Sequence, residues 1–408
     1  MVSDVAPCCT VAVVFRRIGP YHQARLEALA GQTRTVAIEL SPLDATYDWA
    51  PVQSEGRYQR VPLYAGSDSG NAPRSLGASL RDSLDELVPT AVAVPGWSNP
   101  GALAAISWCV QRRVPVIVMS ESARHDACRV WWKERAKRKV VGLCSAGLVG
   151  GQLHAMYLSD LGMPQERIFT GYDVVDNGYY MREAEAARAA TPFWRSRLAL
   201  PEQYFLACSR FVQKKNITTL LSAYASYRQQ AGGMAWKLVL VGDGVLRPQI
   251  LGVLEDLGLE GEVVLPGFIQ YDVLPVYYGL ASVFVHASAT EQWGLVVNEA
   301  MAAGLPVLVS DRCGCVPELV RNGGNGFTFD PFDLEHMAGL MLTMSSENTD
   351  LDAMGRLSRQ MISHWGPARF ASAMMDAVEC ALAAPTPQAK AVDRAFLGLL
   401  ARSALGDV

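Results

Sequence analysis

Short runs rich in β-branched residues alternate along the chain with turns bearing Gly, Pro or Ser and with longer stretches of helical period. That rhythm predicts parallel sheets covered by helices on both faces. In the first half, strands are expected at Val11–Phe15, Val36–Leu40, Ala91–Val94, Pro115–Met119 and Leu143–Val149. Helices are expected between them at Tyr21–Ala30, Leu76–Leu87, Ala102–Arg112, Cys128–Val140 and Leu153–Leu161. Leu43–Asn71 is rich in turn formers and reads as an irregular excursion.

The second half repeats the pattern. Its strands read as Tyr204–Cys208, Lys237–Val241, Val263–Leu265, Ser282–Val285, Pro306–Val309 and Gly326–Phe329. Its helices read as Ile217–Gln230, Leu246–Leu257, Val273–Leu280, Leu295–Ala303, Val316–Arg321 and Leu334–Met344. Gly171–Pro192 reads as a connection with one short helix, and a last long helix is expected at about Ala368–Ala383. The expected organisation is α/β, with two doubly wound domains: residues 1–172, a linker 173–195, residues 196–365, and C-terminal helices and tail over 366–408. Whether that last piece packs back on the first domain is left open. A ligand site is expected in a cleft between the domains, because open α/β sheets bind ligands at the carboxyl ends of their strands.

Composition narrows the class. Half of the 408 residues are hydrophobic and 19% are charged, which excludes a largely disordered chain. The net charge of −4 argues against a dedicated nucleic-acid binder. The segment Met1–Phe15 has no Lys or Arg before its apolar stretch, so it reads as a first strand rather than a secretory leader. No run approaches the length of a membrane helix. The nine cysteines, with Cys8-Cys9 adjacent and Cys313-Gly-Cys315 close together, read as reduced thiols of a cytoplasmic protein.

Candidate chemistry gathers where strands end. After the strand closing at His286 comes a polar loop with Glu291, then Gly294, then a helix carrying Glu299. The first amides of that helix, at Gly294, Leu295 and Val296, have no helical acceptor and suit an anion. Loop and solvated-helix readings of the two glutamates remain open. Arg210 and Lys215 follow the first strand of the second domain and could clamp two phosphates, or be a surface pair. Val241-Gly242-Asp-Gly244 is a tight turn without the third glycine of a dinucleotide fingerprint. In the first domain, Gly19 permits close approach of backbone, and His22 could serve an acceptor hydroxyl or be structural. Glu121, Arg124, His125 and Asp126 form a charged loop after an apolar strand and suggest an acceptor site. No metal-ligand pattern, nucleophile elbow or P-loop is present. Lys133–Lys139 is a local basic run, read as a solvated helix face.

Glu291 and Glu299, separated by seven residues, match the two-glutamate signature of family 4 retaining glycosyltransferases of the GT-B fold. Ser209-Arg210 with Lys215-Asn216, then Gly242-Asp-Gly244, Pro266-Gly267-Phe268, Glu299-Ala-Met-Ala-Ala-Gly-Leu-Pro and Gly323-Gly-Asn-Gly326 follow in the family's order. The resemblance covers roughly residues 200–345. It implies two Rossmann-like domains facing each other across a deep cleft. It also implies sugar transfer from a nucleoside-diphosphate sugar to a hydroxyl of a small molecule or glycan precursor. By that resemblance Arg210, Lys215 and Glu291 carry catalysis. The donor is bound by Arg210, Lys215, Gly19, Gly242, Gly294, Leu295, Val296 and Glu299. Glu299 would contact the ribose, Glu291 the transferred sugar, and Gly19 would let the first domain approach the diphosphate. Acceptor contacts are expected at His22, Glu121, His125 or Asp126. Many family members carry a His just after a first-domain strand, where this chain reads Met119-Ser120-Glu121-Ser122. No metal or other cofactor is implied, and the mechanism is front-face attack with retention. A homodimer stays open, and peripheral membrane contact is expected only for a lipid acceptor. A nucleotide-sugar epimerase and a non-catalytic sugar or nucleotide binder are the competing readings.

Overall fold

A computed structural model describes residues 9–41, 56–64, 75–384, 387 and 390–403, with the side chains of 402 and 403 left out. Cys8 and most of the Leu43–Asn71 excursion lie outside the described residues. The chain divides into two units, residues 1–174 with 367–408, and residues 175–366.

Unit 1 is built on a seven-stranded sheet. Its strands are β1 (Thr10–Phe15), β2 (Arg34–Glu39), β3 (Gln59–Pro62), β4 (Ala91–Pro95), β5 (Val116–Ser120), β6 (Ala146–Val149) and β7 (Ile168–Thr170). They lie in the order β3-β2-β1-β4-β5-β6-β7, and every pairing is parallel. The intervening helices are α1 (Pro20–Ala30), α2 (Leu76–Leu87), α3 (Pro100–Arg112), α4 (Trp131–Val141) and α5 (Gln152–Asp160). Two further helices return from the chain's end, α15 (Pro367–Ala383) and α16 (Ala391–Ser403). A parallel sheet covered on both faces needs strands that are apolar throughout, and Val11, Ala12, Val13 and Val14 are all fully buried. One face packs on α1 and on the α15 stripe Phe370, Met374, Ala377, Val378 and Ala381. The spacing of that stripe, three and four residues, is one helix face.

Unit 2 contains α6 (Asn177–Ala189), α7 (Thr191–Leu198), β8 (Tyr204–Cys208), α8 (Ile217–Ala231), β9 (Lys237–Val241), α9 (Arg247–Asp256), β10 (Val263–Gly267) and α10 (Leu274–Leu280). It continues through β11 (Val283–His286), α11 (Leu295–Ala302), β12 (Val307–Ser310), α12 (Val316–Leu319), β13 (Gly326–Phe329), α13 (Leu334–Met344) and α14 (Leu351–Ile362). The sheet order is β10-β9-β8-β11-β12-β13, again parallel throughout. The chain winds outward from β8 in one direction and from β11 in the other. The strand order therefore reverses between β8 and β11, and a crevice opens outside their carboxyl ends.

Three local expectations change. Residues 173–195 hold two helices, α6 and the start of α7, and α6 packs on α10 within unit 2. The strand expected over Leu143–Val149 begins at Ala146, because Gly142, Leu143 and Cys144 close the end of α4 with backbone bonds to Arg138, Val140 and Val141. Helix α4 starts at Trp131 rather than Cys128. The Asp126 carboxylate takes the Ala123 amide at 3.0 Å and the Arg129 guanidinium, which holds the preceding turn.

Candidate functional site

The loops after β8 and β11 meet at the switch point of unit 2. After β8 the chain passes through Ser209, Arg210 and Phe211 into a short 3-10 turn, Gln213–Lys215. Asn216 then takes a left-handed conformation, φ 55°, and opens α8. Asn216 is fastened there by Nδ2 donation to the Pro331 carbonyl at 2.8 Å, and its Oδ1 accepts from Thr219 at 2.6 Å. This turn aims Lys215 across the crevice, where its ammonium pairs with the Glu291 carboxylate.

Glu291 is held from four sides. His286 Nε2, at the end of β11, lies 3.3 Å from its Oε2, and the Ser288 hydroxyl donates to the same oxygen at 3.2 Å. Its backbone bridges Cys313, with the Gly314 amide donating to the Glu291 carbonyl at 3.1 Å. Burial alone would raise the Glu291 pKa. The Lys215 ammonium and the His286 hydrogen bond outweigh it and hold the carboxyl well below the usual carboxylate range. Burial keeps His286 neutral by lowering its pKa, although the hydrogen bond to Glu291 opposes that shift. The result is an anionic Glu291 paired to a cation between the loops that follow β8 and β11.

Gly294 follows with φ 105°, a conformation that favours glycine, and starts α11. The first-turn amides of Leu295 and Val296 have no helical acceptor. Four residues on, Glu299 is fully buried, and the Tyr278 hydroxyl donates to its Oε2 at 2.7 Å. Its burial removes the solvated-helix reading of this residue. Cys208, at the end of β8, reports how close the loops lie. Its thiol is pushed up to about 12, first by burial and next by the Glu299 charge, while Tyr278 and Lys215 act the other way.

Gly242, expected at the donor, has a packing role in this structure. At φ 135° it packs under the preceding loop, and a Cβ there would overlap the Ser209 carbonyl oxygen. Gly244 is pressed against Phe211 in the same way, and a Cβ there would come within 2.7 Å of the Phe211 carbonyl oxygen. The Phe211 amide donates to Asp243 O at 2.8 Å. These glycines shape the loop that carries Arg210, which is half-buried. Gly242→Ala is expected to displace that loop and to lower stability by about 1–3 kcal/mol. Chemical denaturation checks the second part, and unaltered stability would contradict it.

In unit 1 the Gly19 amide is occupied, since it donates to His22 Nδ1 at 3.1 Å. Gly19 has φ −108°, which any residue adopts. Burial, then Arg25, lowers the His22 pKa to about 3, so the ring is neutral. With Nδ1 accepting, its proton sits on Nε2, which can only donate. Glu121 follows β5 and hydrogen-bonds Asp173, a fully buried carboxyl. His125 is exposed, and Asp126 is committed to its own turn. The structure thus brings together Lys215, Glu291 and the start of α11, and gives Glu299 a buried seat beside Cys208. His22, His125 and Asp126 stand in separate settings. Sequence reasoning missed His286, Ser288 and Tyr278 as partners of the two glutamates. His286-Ala-Ser288, the first polar residues after β11, was the available signal.

The family described as glycosyl transferases group 1 matches residues 191–361. The chain is 31% identical over 190 residues to the GDP-mannose-dependent alpha-(1-6)-phosphatidylinositol monomannoside mannosyltransferase of Mycobacterium tuberculosis, covering 45% of this chain and 48% of that protein. It is 24% identical over 254 residues to the alpha-D-kanosaminyltransferase of Streptomyces kanamyceticus, covering 58% and 64% respectively. The chain therefore spans about half to two thirds of these relatives' length. Among solved structures, Anabaena HepE in complex with UDP is similar with a TM-score of 0.70 at 17% identity, over 91% of this chain and 99% of that one. Sucrose-phosphate synthase from Thermosynechococcus elongatus is similar with a TM-score of 0.68 at 19% identity, over 90% and 97%. The matched residues 191–361 hold Arg210, Lys215, Glu291 and Glu299, in a chain whose two parallel-sheet units have the GT-B fold.

Proposed function

We propose that this protein is a retaining, metal-independent glycosyltransferase of family 4. It moves a sugar from a nucleoside-diphosphate sugar to a hydroxyl of a small-molecule or glycan-precursor acceptor in the cytoplasm. The observation that carries the reading is the convergence of Lys215, Glu291 and the N-terminus of α11 at the switch point of unit 2. A nucleoside diphosphate leaves with growing negative charge, and catalysis must stabilise that charge. Lys215, Arg210 and the amides of Gly294, Leu295 and Val296 are the groups assigned to it. Glu299, held by Tyr278, is assigned to the ribose, and the Glu291–Glu299 pair is read as the family's signature.

Glu291, anionic and fixed by His286 and Ser288, is assigned to hydroxyls of the transferred sugar. In front-face transfer the acceptor oxygen bonds to the anomeric carbon on the side from which the diphosphate departs. The departing phosphate oxygen takes the acceptor's proton, so no carboxylate nucleophile is required. Acceptor recognition is assigned to unit 1, with Glu121 and His125 as its exposed or half-exposed candidates.

The test is thermal melting of the full chain with a panel of nucleoside diphosphates and nucleotide sugars in chelator. One diphosphate and its sugars are expected to raise Tm by mass action, and Arg210→Ala to lose the shift. Adding hydroxyl acceptors should then release the diphosphate and give a product with the donor's anomeric configuration. Isomerised donor without acceptor would instead indicate an epimerase, and a shift with no turnover a binding protein. No shift with any member of the panel would overturn the proposal.

A further inference from the structure

Helix α4 of unit 1 turns its tryptophans outward. Trp131 is 77% exposed, Trp132 is 55% exposed, and Val130 before them is exposed as well. At about 100° per residue, Trp131, Arg135 and Arg138 fall on one stripe, with Trp132 and Lys139 beside it. Val140 and Val141 take the buried side. A helix whose large apolar residues served only the fold would turn them inward.

The charge around these rings is one-sided. Lys133, Arg135, Lys137, Arg138 and Lys139 face one carboxylate on the helix, Glu134, in a chain whose net charge is −4. Glu134 is already engaged, by Lys137 at 2.8 Å and by the Tyr157 hydroxyl at 2.8 Å. Arg135 and Arg138 are exposed, and neither has an ion-pair partner among the described residues. Trp131, Arg135, Arg138 and Lys139 line one shallow recess with Glu134. Lys139 reaches Asp393 of α16 at 3.3 Å and lies 4.5 Å from the centroid of the Phe396 ring. Val392, Phe396 and Leu399 share one stripe of α16, and Val392 and Leu399 are each 66% exposed. The apolar part of the surface thus continues past Lys139.

We propose that the α4 face formed by Trp131, Trp132, Arg135, Arg138 and Lys139 docks unit 1 on an anionic phospholipid surface. The indoles enter the boundary between headgroups and acyl chains, where an amphipathic ring is favoured, and the guanidinium groups pair with lipid phosphates. Charge complementarity selects this occupant: the patch is cationic while the rest of the chain is acidic overall. The proposal does not depend on the reaction the protein performs.

Flotation of the full chain with phosphatidylglycerol–phosphatidylcholine vesicles tests it, against phosphatidylcholine vesicles alone. Binding is expected only to the anionic vesicles and is expected to weaken with added salt. The double variants Trp131→Ala/Trp132→Ala and Arg135→Glu/Arg138→Glu are each expected to bind at least about tenfold more weakly. Circular dichroism should remain unchanged, since all four side chains are exposed. Failure to float with anionic vesicles at low salt would overturn the proposal. So would full binding by both variants. A dimer in sedimentation that the tryptophan variant converts to monomer, without vesicle binding, would assign the face to a second copy of this chain.

Discussion

Replacing Lys215 with methionine is expected to lower the proposed sugar transfer by about 10²–10³-fold, the scale seen when one group stabilising a developing charge is removed. Methionine keeps the apolar stem and removes the ammonium. Two consequences follow from the pairing with Glu291. The leaving diphosphate loses a counter-charge, and a buried carboxylate loses its cation. Burial then dominates the Glu291 environment and its pKa rises, with only the His286 and Ser288 hydrogen bonds holding it down. In the parent protein, Glu291 adds stability that is fully present above its ordinary value of 4.5 and is lost as pH falls from there toward the lower folded value. In the variant that contribution is smaller, and any residual activity should fall off at a higher pH on the acid side. Lys215→Met/Glu291→Gln removes both charges and should recover part of the lost stability but none of the activity. Kinetics and acid unfolding of the two variants check this. A Lys215→Met enzyme with parental turnover would refute the role of the pair.

The second large effect is expected in unit 1, at Arg25. Its side chain is 1% exposed yet charged. It donates to the Val174 carbonyl from Nε and from a terminal nitrogen, at 3.3 Å each. It also stands 3.8 Å from the Asp173 carboxylate and 4.6 Å from the centroid of the Tyr172 ring. Arg25→Ala leaves Asp173 buried without its cation, a change that costs about 3–5 kcal/mol in comparable sites. For a unit of this size the melting temperature should fall by about 6 °C or more.

The pH dependence has a definite sign. Burial, then the Glu121 charge, raises the Asp173 pKa well above its ordinary value, and Arg25 opposes both. The folded state therefore holds its proton more tightly than the unfolded chain. Stability from this group is fully present below about 3.8 and is lost as pH rises toward the folded value. Without Arg25 the folded value climbs further, so the variant should lose more stability in mildly alkaline than in mildly acidic buffer. Asp173→Asn should cost less and flatten that dependence. Calorimetry across pH checks both, and an Arg25→Ala variant with unchanged melting would show that the cluster contributes nothing.

Much of the architecture was legible in the chain. The runs Val11–Phe15, Tyr204–Cys208 and Leu238–Val241 are apolar almost throughout, and a sheet covered on both faces accepts such strands. The position of the candidate site was legible too, because polar residues after β8 and β11 stand out against apolar strands. Short elements were not. β3 and β7 have four and three residues and are only partly buried, too little pattern to separate them from loop. Helix α14 was passed over although its cap, Asp350 accepting from the Ala353 amide at 2.8 Å, is a local signal.

Residue chemistry divides the same way. Local sequence by itself determined the alternating α/β class, the strand-end placement of Arg210, Lys215, Glu291 and Glu299, and the glycine that opens α11, because each depends on neighbours a few residues away. Tertiary structure decided which of these groups meet. The pairing of Lys215 with Glu291 spans 76 residues, and it arises because the strand order places β8 beside β11. Glu299 became a buried, hydrogen-bonded group only when α10 brought Tyr278 to it. Gly242 proved to support a loop, since only the packed Ser209 carbonyl forbids a side chain there. The outward tryptophans of α4 belong to the same class: a sequence shows that Trp131 and Trp132 adjoin a basic run, and the packing of Val140 and Val141 decides which side of the helix faces out.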